Sequence, residues 1–276
     1  MSIVDTHAHI YHADEVLYRK KENPLRPPEG TGGIEHMNRE MQTHDVVRTV
    51  LVQTGSAYGW NNHLLGDMAA ANREQMVGVC TLDPGSEASA TEYERLVRDY
   101  NVRGLRMEPT KTGVSVYDHP GADRLWQKVR ELDGVICAHI QAQFLPELAA
   151  LLTRYPDVQV VLDHAAYPKA VDGVDSETVN GVVEVAKYKN LNVKLTFAVT
   201  GSGEDYPFSD MFGIVRRIVG AFGADRCMWG SDFPCELWLK KASYGQHLAL
   251  FTEELDLSAG EREGILGGTA MRVWFD

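Results

Sequence analysis

The sequence predicts an α/β fold, a single (β/α)₈ TIM barrel, from two observations. Eight short apolar runs recur along the 276 residues, and segments with helical spacing separate them. Strands that alternate with helices are parallel and joined by right-handed crossovers, and eight such units favour a closed barrel over an open sheet. An open doubly wound sheet is disfavoured because His7-Ala-His9 follows the first run, where such sheets carry a glycine-rich turn.

The predicted strands are apolar runs that look buried on both faces, as the strands of a parallel barrel are. The regions between them carry apolar residues at helical spacing, most clearly in 93–100, 148–155 and 211–222. We therefore expect one domain that spans residues 1–276. The predicted strands are Ile3–Ala8, 49–53, 76–82, Val102–Met107, 135–140, 158–162, 191–197 and 226–230.

One long irregular stretch, 10–33, follows the first strand. It contains three prolines and three glycines, which interrupt helices and strands alike. In a barrel this segment would overhang the mouth as a lid or rim loop.

The charge of the chain limits its expected partners. Lys and Arg number 27 against 39 Asp and Glu, a formal net charge of -12, so neither nucleic acid nor an anionic membrane is an expected partner. The sequence shows no leader pattern and no stretch of about 20 apolar residues, so we expect a cytoplasmic protein. Its four cysteines form no CxxC pair, so a disulfide framework or zinc knuckle is not expected. The expected partner is a small molecule, and a homodimer stays open because one sequence does not determine oligomeric state.

The sharpest chemical signal is His7-Ala-His9 at the end of the first predicted strand. Residues two apart on a strand point to the same face, so both imidazoles enter the barrel mouth together. Buried histidines side by side need a partner, which a divalent cation or an anionic substrate supplies. Taken alone, the motif is also compatible with two packed or surface histidines.

Three further residues stand where later strands become loops. His139 lies in the fifth run, His164 follows the sixth and Asp232 follows the eighth. Parallel strand ends converge around one mouth, and imidazoles with a carboxylate are a suitable ligand set for zinc, manganese or iron. The alternative for His139 is a core histidine bonded to a backbone carbonyl.

Arg106 near the end of the fourth strand would point toward the mouth, where its guanidinium suits a substrate carboxylate. The alternative is a structural ion pair. Cys235 is better explained as a packing thiol than as a nucleophile. Aromatic or imidazole rings just beyond the strand ends, which could wall a flat cyclic substrate, belong to Tyr11, His12, Tyr58, Trp60, Tyr167 and Trp238.

Together these motifs resemble the amidohydrolase-2 family of the amidohydrolase superfamily. The resemblance is carried by His7-x-His9, Val-Leu-Asp-His164, Gly-Ser-Asp232-Phe-Pro and the final Gly268-Thr-Ala-Met-Arg, and it spans nearly the whole chain. Gly104-Leu-Arg106 and the region 146–164 are most similar to the lactonase branch, which includes 2-pyrone-4,6-dicarboxylate lactonase and sugar lactonases.

The resemblance implies a set of roles. His7, His9, His139 and Asp232 would surround one divalent metal ion, zinc or manganese, although some lactonases of the branch work without metal. Asp232 and His164 would be catalytic, with Asp232 taking the proton of the attacking water and His164 bonding the substrate or water.

The expected substrate-binding residues are Arg106, His7, His9, Tyr167 and Lys194. Lys194 matches a lysine common in the family, but relatives usually continue Leu-Ser-Gly where this chain has Leu195-Thr-Phe197. That departure is expected to reshape the pocket.

The leading functional prediction is hydrolysis of a small lactone that carries a carboxylate or several hydroxyls, with an anionic substrate expected because of Arg106. Water activated by Asp232 would supply the nucleophile, with or without a divalent metal ion that lowers the pKa of that water to about 7. The main alternative is metal-dependent, non-oxidative decarboxylation of an aromatic or unsaturated carboxylic acid. A binding protein on a barrel that has lost its activity is disfavoured because the strand-end residues are kept.

Overall fold

The computed structural model describes residues 2–108, 117 and 119–276. Eight strands form one parallel sheet in chain order, each hydrogen-bonded to the next. The strands are β1 (Ile3–Ala8), β2 (Val46–Val52), β3 (Met76–Thr81), β4 (Val102–Met107), β5 (Val135–Ala138), β6 (Gln159–Leu162), β7 (Leu191–Lys194) and β8 (Cys227–Met228).

The sheet closes on itself between β8 and β1. The backbone N–H of Thr6 donates to the carbonyl of Trp229 at 3.2 Å, and that of His9 donates to the carbonyl of Phe233 at 2.8 Å. Ala8 and Phe233 form a parallel bridge. The prediction of a single-domain (β/α)₈ barrel is therefore confirmed.

Helices pack around the strands and connect them. Their inward faces are apolar, which follows from the helical spacing of the sequence. The α-helices are α1 (Ile34–Thr43), α2 (Gly55–Tyr58), α3 (His63–Ala71), α4 (Ser89–Tyr100), α5 (Pro120–Glu131), α6 (Leu145–Arg154), α7 (Glu177–Val185), α8 (Ala198–Gly201), α9 (Phe212–Phe222), α10 (Cys235–Trp238), α11 (Tyr244–Ala249), α12 (Ala259–Glu263) and α13 (Thr269–Trp274).

Several strands are shorter than the sequence predicts at their carboxyl ends. The fifth run was expected to reach residue 140 and the seventh residue 197, but β5 ends at Ala138 and β7 at Lys194. Past these points the chain leaves the strand ladder and opens toward the mouth, so His139 and Thr196 lie in loops. Burial does not mark these positions as loop in the sequence pattern, because Thr196 is buried and His139 is partly buried, like the strand residues that precede them.

The segment 10–33 contains no helix or strand, as its prolines and glycines predict. It is tied to the α2 region, because the N–H of Lys21 donates to Ala57 at 2.9 Å and that of Leu25 to Ser56 at 3.1 Å. Its action as a lid stays a prediction.

All four cysteines are buried and unpaired. In the part of the chain that the structure describes, no helix combines the length and the apolarity that a membrane crossing requires.

Candidate active site

The histidine pair at the end of β1, with His7 in the strand and His9 directly after it, lies in the barrel mouth as predicted. His7 is fully buried, His9 is 5% exposed, and their Nε2 atoms lie 3.2 Å apart. His9 Nδ1 lies 3.0 Å from the carbonyl oxygen of Val52. Because a carbonyl only accepts, Nδ1 of His9 carries the proton and its Nε2 presents a lone pair to the mouth.

Asp232 faces this pair from the loop after β8. Its backbone is left-handed, with φ 55°. Its Oδ1 lies 3.7 Å from Nε2 of His7 and 3.6 Å from Nε2 of His9. Buried Asp5 anchors the loop by accepting bonds from Ser231 N–H at 2.9 Å and Ser231 Oγ at 2.6 Å.

These three residues fit a divalent metal. The Nε2 atoms of His7 and His9 and a carboxylate oxygen of Asp232 all lie within 4.8 Å of one another. A tetrahedral zinc ion with ligands about 2.0–2.2 Å away spaces pairs of ligand atoms by roughly 3.4 Å, close to the separations found here.

The tautomer of His7 decides whether the pair is ready for an ion. With the proton on Nε2, His7 donates to the lone pair of His9. With the proton on Nδ1, both Nε2 lone pairs point to the space beside Asp232, and Nδ1 faces Oδ1 of Asp163 at 3.6 Å. The ammonium of Lys194 lies 3.1 Å from Nδ1 and can only donate, so in this arrangement it must direct its N–H bonds elsewhere. The second arrangement is the one that binds metal.

His139 lies at the same mouth but outside this trio. Its Nδ1 is 2.9 Å from Oε2 of Glu108, and its Nε2 is hydrogen-bonded to the hydroxyl of Tyr167. Its predicted role as a fourth ligand stays a prediction, because ligation through Nε2 would require Tyr167 to give up that bond.

His164 occupies an unusual backbone segment after β6. His164, Ala165, Ala166 and Tyr167 all have positive φ, between 46° and 64°. Such a run is costly for residues other than glycine, and strain of this kind is concentrated at functional sites. The turn brings the ring of His164 to 4.7 Å from that of His7 and stacks it on Tyr167, while Thr196 Oγ1 bonds its Nδ1 at 2.5 Å.

A buried charge cluster lies beneath the mouth. Asp163 Oδ2 is 2.9 Å from Nε of Arg106, and Asp163 Oδ1 is 3.1 Å from Nζ of Lys194. Burial alone would raise the pKa of Asp163, but Lys194, His7 and Arg106 hold that pKa well below its usual range. Nζ of Lys194 also lies 3.1 Å from Nδ1 of His7. Because an ammonium only donates, this contact is a hydrogen bond when Nδ1 of His7 accepts and the ring proton is on Nε2.

Burial sets the protonation states of the mouth. It lowers the pKa of His9 to about 3, with a smaller contribution from Arg106, and it lowers the pKa of His139 in the same direction. Burial raises the pKa of Asp232 to about 7, against the charge of Arg106. For Glu108, burial is outweighed by the bond from His139 and the charge of Arg106, which lower its pKa to about 2. The histidines are therefore neutral near pH 7, and Asp232 is a base strong enough to take a proton from activated water.

These groups surround a cavity of about 250 Å³. Most predicted site residues line it, but His7 and Lys194 lie below its floor and are fully buried. The lining residues are His9, Gly55, Ser56, Arg106, Glu108, His139, His164, Tyr167, Asp232 and Trp238.

Only part of the predicted aromatic wall lines the cavity. Tyr167 and Trp238 do so. Tyr11 and Tyr58 are buried, with ring centroids 6.4 Å apart, and Trp60 is 49% exposed at a separate surface hollow. Cys235 is buried, and burial raises the pKa of its thiol, which agrees with a packing role.

Sequence reasoning did not single out Glu108, Asp163 or Thr196. Glu108 stands two residues after Arg106, a spacing that places both on one face at the end of β4. Asp163 directly precedes His164. Thr196 was seen only as a departure from the family pattern, although its hydroxyl holds His164.

A parallel eight-stranded barrel whose mouth combines a histidine pair on the first strand with an aspartate after the eighth defines a hydrolytic barrel enzyme. The chain belongs to the amidohydrolase family, since the model of the family described as Amidohydrolase matches residues 4–275. This agrees with the resemblance found in the sequence.

The chain is similar to one sequence relative and to two solved structures that share its fold. It is 30% identical over 236 residues, 83% of this chain and 80% of the relative, to the L-fucono-1,5-lactonase of Burkholderia ambifaria. In fold it matches a structure described as a probable 2-pyrone-4,6-dicarboxylic acid hydrolase from Acinetobacter baumannii with citric acid bound, at a TM-score of 0.84, 18% identity and 99% coverage of both chains. It also matches an amidohydrolase from Burkholderia multivorans with bound zinc, at a TM-score of 0.79, 23% identity and 99% coverage of both chains.

Proposed function

We propose that this protein hydrolyses an uncharged, polyhydroxylated lactone, an aldonolactone in chemical class. The observation that carries the proposal is the approach of Asp232 Oδ1 to within 3.7 Å of two imidazole Nε2 atoms at the cavity. The relationship to an L-fucono-1,5-lactonase over most of the chain supports the same substrate class.

The charges around the cavity favour a neutral substrate over the anionic one expected from sequence. Arg106 is only 5% exposed; its Nε is bound to Asp163, and its Nη1 lies 3.5 Å from Oε2 of Glu108. The carboxylates of Glu108 and Asp232 line the same space. A substrate carboxylate would face the charged carboxylate of Glu108, whereas sugar hydroxyls can donate to the acceptors that line the cavity.

The residues can perform ester hydrolysis in two proton transfers. Asp232 accepts a proton from water as the water oxygen bonds to the lactone carbonyl carbon, and it returns the proton to the ring oxygen as the ring C–O bond breaks. His164 and the Arg106 guanidinium line the cavity and can donate to the oxyanion that forms on the carbonyl oxygen.

We further propose that His7, His9 and Asp232 hold one zinc or manganese ion. When bound, such an ion polarises the carbonyl and lowers the pKa of its water to about 7. The ion's identity, a cytoplasmic location and a homodimer stay predictions.

A substrate panel tests this proposal. Purified protein is assayed for acid release from an aldono-1,5-lactone and from a lactone of similar size that carries a carboxylate, and for carbon dioxide release from aromatic acids. We expect acid release, with the uncharged lactone preferred. Preference for the carboxylated lactone would contradict the neutral-substrate proposal, and carbon dioxide release without lactone opening would point to the decarboxylase alternative.

A further inference from the structure

Glu108, His139 and Tyr167 form a hydrogen-bonded chain along the wall of the cavity. Oε2 of Glu108 lies 2.9 Å from Nδ1 of His139, and Nε2 of His139 is bonded to the hydroxyl of Tyr167. The three residues are contributed by different strand ends, β4, β5 and β6, and all line the cavity. None of them belongs to the trio His7, His9 and Asp232.

The chemistry of these groups fixes the direction of each bond. A carboxylate has no proton to donate, so Glu108 accepts and Nδ1 of His139 carries the proton. The neutral ring then has a lone pair on Nε2, which accepts the phenolic proton of Tyr167. The oxygen of Tyr167 therefore keeps its own lone pairs for the cavity.

We propose that Glu108 and His139 position Tyr167 as a hydrogen-bond acceptor for one substrate hydroxyl, and that this contact determines specificity for hydroxylated lactones. The inference rests on the proposed function. Tyr167 contacts the substrate, whereas Glu108 and His139 act through Tyr167 as positioning residues.

The ring of Tyr167 is held in place by contacts that do not involve its hydrogen bond to His139. It stacks on His164 with centroids 4.7 Å apart, and its backbone is held in the left-handed turn, with φ 64°. Loss of the hydroxyl in Tyr167→Phe should therefore leave the ring in position. The variant removes one polar contact and little packing.

The test compares two substrates in each variant: an aldono-1,5-lactone and δ-valerolactone, which has the same ring and no hydroxyl. We expect Tyr167→Phe and Glu108→Met each to lower the ratio of their kcat/KM values by about 10- to 100-fold, the usual cost of an unmade buried hydrogen bond. The change should fall mainly on KM for the hydroxylated lactone. Trp238→Phe, a control at another lining residue, should affect both lactones alike.

Monodeoxy and deoxyfluoro aldonolactones identify the direction of the bond. Fluorine has about the size of a hydroxyl but cannot donate a hydrogen bond. At the ring position that contacts Tyr167, wild type should therefore lose its preference over δ-valerolactone for both the deoxy and the deoxyfluoro analogue. Tyr167→Phe should lower the kcat/KM values of these two analogues no further. A deoxyfluoro analogue that bound as well as the parent at every position would contradict an acceptor role.

The outcomes separate this inference from the proposed function. If wild type opens neither lactone, the proposed function fails. If it opens both and Tyr167→Phe leaves the kcat/KM ratio unchanged, only the inference fails. A loss of bound zinc in His139→Asn, measured by elemental analysis, would mean that Nε2 of His139 is a metal ligand. That result would also overturn the inference about Tyr167.

Discussion

Nε of Arg106 lies 2.9 Å from Oδ2 of Asp163, and both side chains are buried beneath the barrel mouth. Because of this ion pair, the main role of the arginine at the end of β4 is to neutralise the buried carboxylate of Asp163, and contact with the substrate is secondary. The ion-pair alternative for Arg106 was open at the level of sequence, and the structure contains that pair.

Breaking this pair should destabilise the protein. Arg106→Met leaves Asp163 buried with Lys194 as its remaining cationic partner, and removal of one member of a buried ion pair typically costs about 3–5 kcal/mol. Denaturant unfolding monitored by circular dichroism measures the free energy of unfolding. The exposed pair Arg154–Asp123 provides the control, since Arg154→Met should cost less than about 1 kcal/mol. Equal costs for the two variants would contradict the structural role of Arg106.

If His7, His9 and Asp232 bind zinc, zinc should raise the thermal stability of the protein. Zinc that binds only the folded protein raises Tm, so added zinc should raise the Tm of wild type and leave that of His9→Ala nearly unchanged. Differential scanning fluorimetry and elemental analysis measure the two effects. His63→Ala is the control, because the His63 side chain is 45% exposed and lies away from the mouth. An equal zinc response in His9→Ala would show that zinc binds elsewhere.

His247 predicts a pH-dependent loss of stability. It is fully buried, its ring nitrogens find no hydrogen-bond partner among the described residues, and burial lowers its pKa to about 3. The unfolded chain takes up a proton near pH 6.5, so this contribution to stability is complete above that pH and is lost as the pH falls toward 3. The loss approaches about 1.4 kcal/mol per pH unit.

Replacing His247 tests this directly. His247→Leu cannot be protonated, so its advantage over wild type in free energy of unfolding should grow by about 2–3 kcal/mol between pH 7 and pH 4.5. Urea unfolding at both pH values provides the measurement, with His63→Leu as the exposed control. A constant difference between variant and wild type would mean that His247 does not resist protonation.

The sequence allowed prediction of the barrel and of most of its chemical residues because both depend on short-range patterns. Alternation on β1 places His7 and His9 on one face, and parallel strand ends bring His164 and Asp232 to the same mouth. The partners of these residues could not be predicted in the same way. The contacts of Arg106 with Asp163 and of Glu108 with His139 join different strands, and they depend on side-chain rotamers and on strand stagger.

Contacts between different strands also determine which substrate charge the cavity accepts. Arg106 alone suggested an anionic substrate, but the charge that a substrate meets depends on neighbours brought in by other strands. The buried position of Lys194 beneath His7 is a further example, because strand periodicity does not indicate how deep in the barrel a side chain lies.

The most direct test of the account is the kcat of Asp232→Asn on an aldono-1,5-lactone, with circular dichroism to confirm the fold. Asparagine keeps the size of the side chain but cannot accept a proton from water, so we expect kcat to fall by about 10²- to 10⁴-fold. A variant that turned over the lactone within about twofold of wild type would exclude Asp232 as the base and contradict the proposed active site.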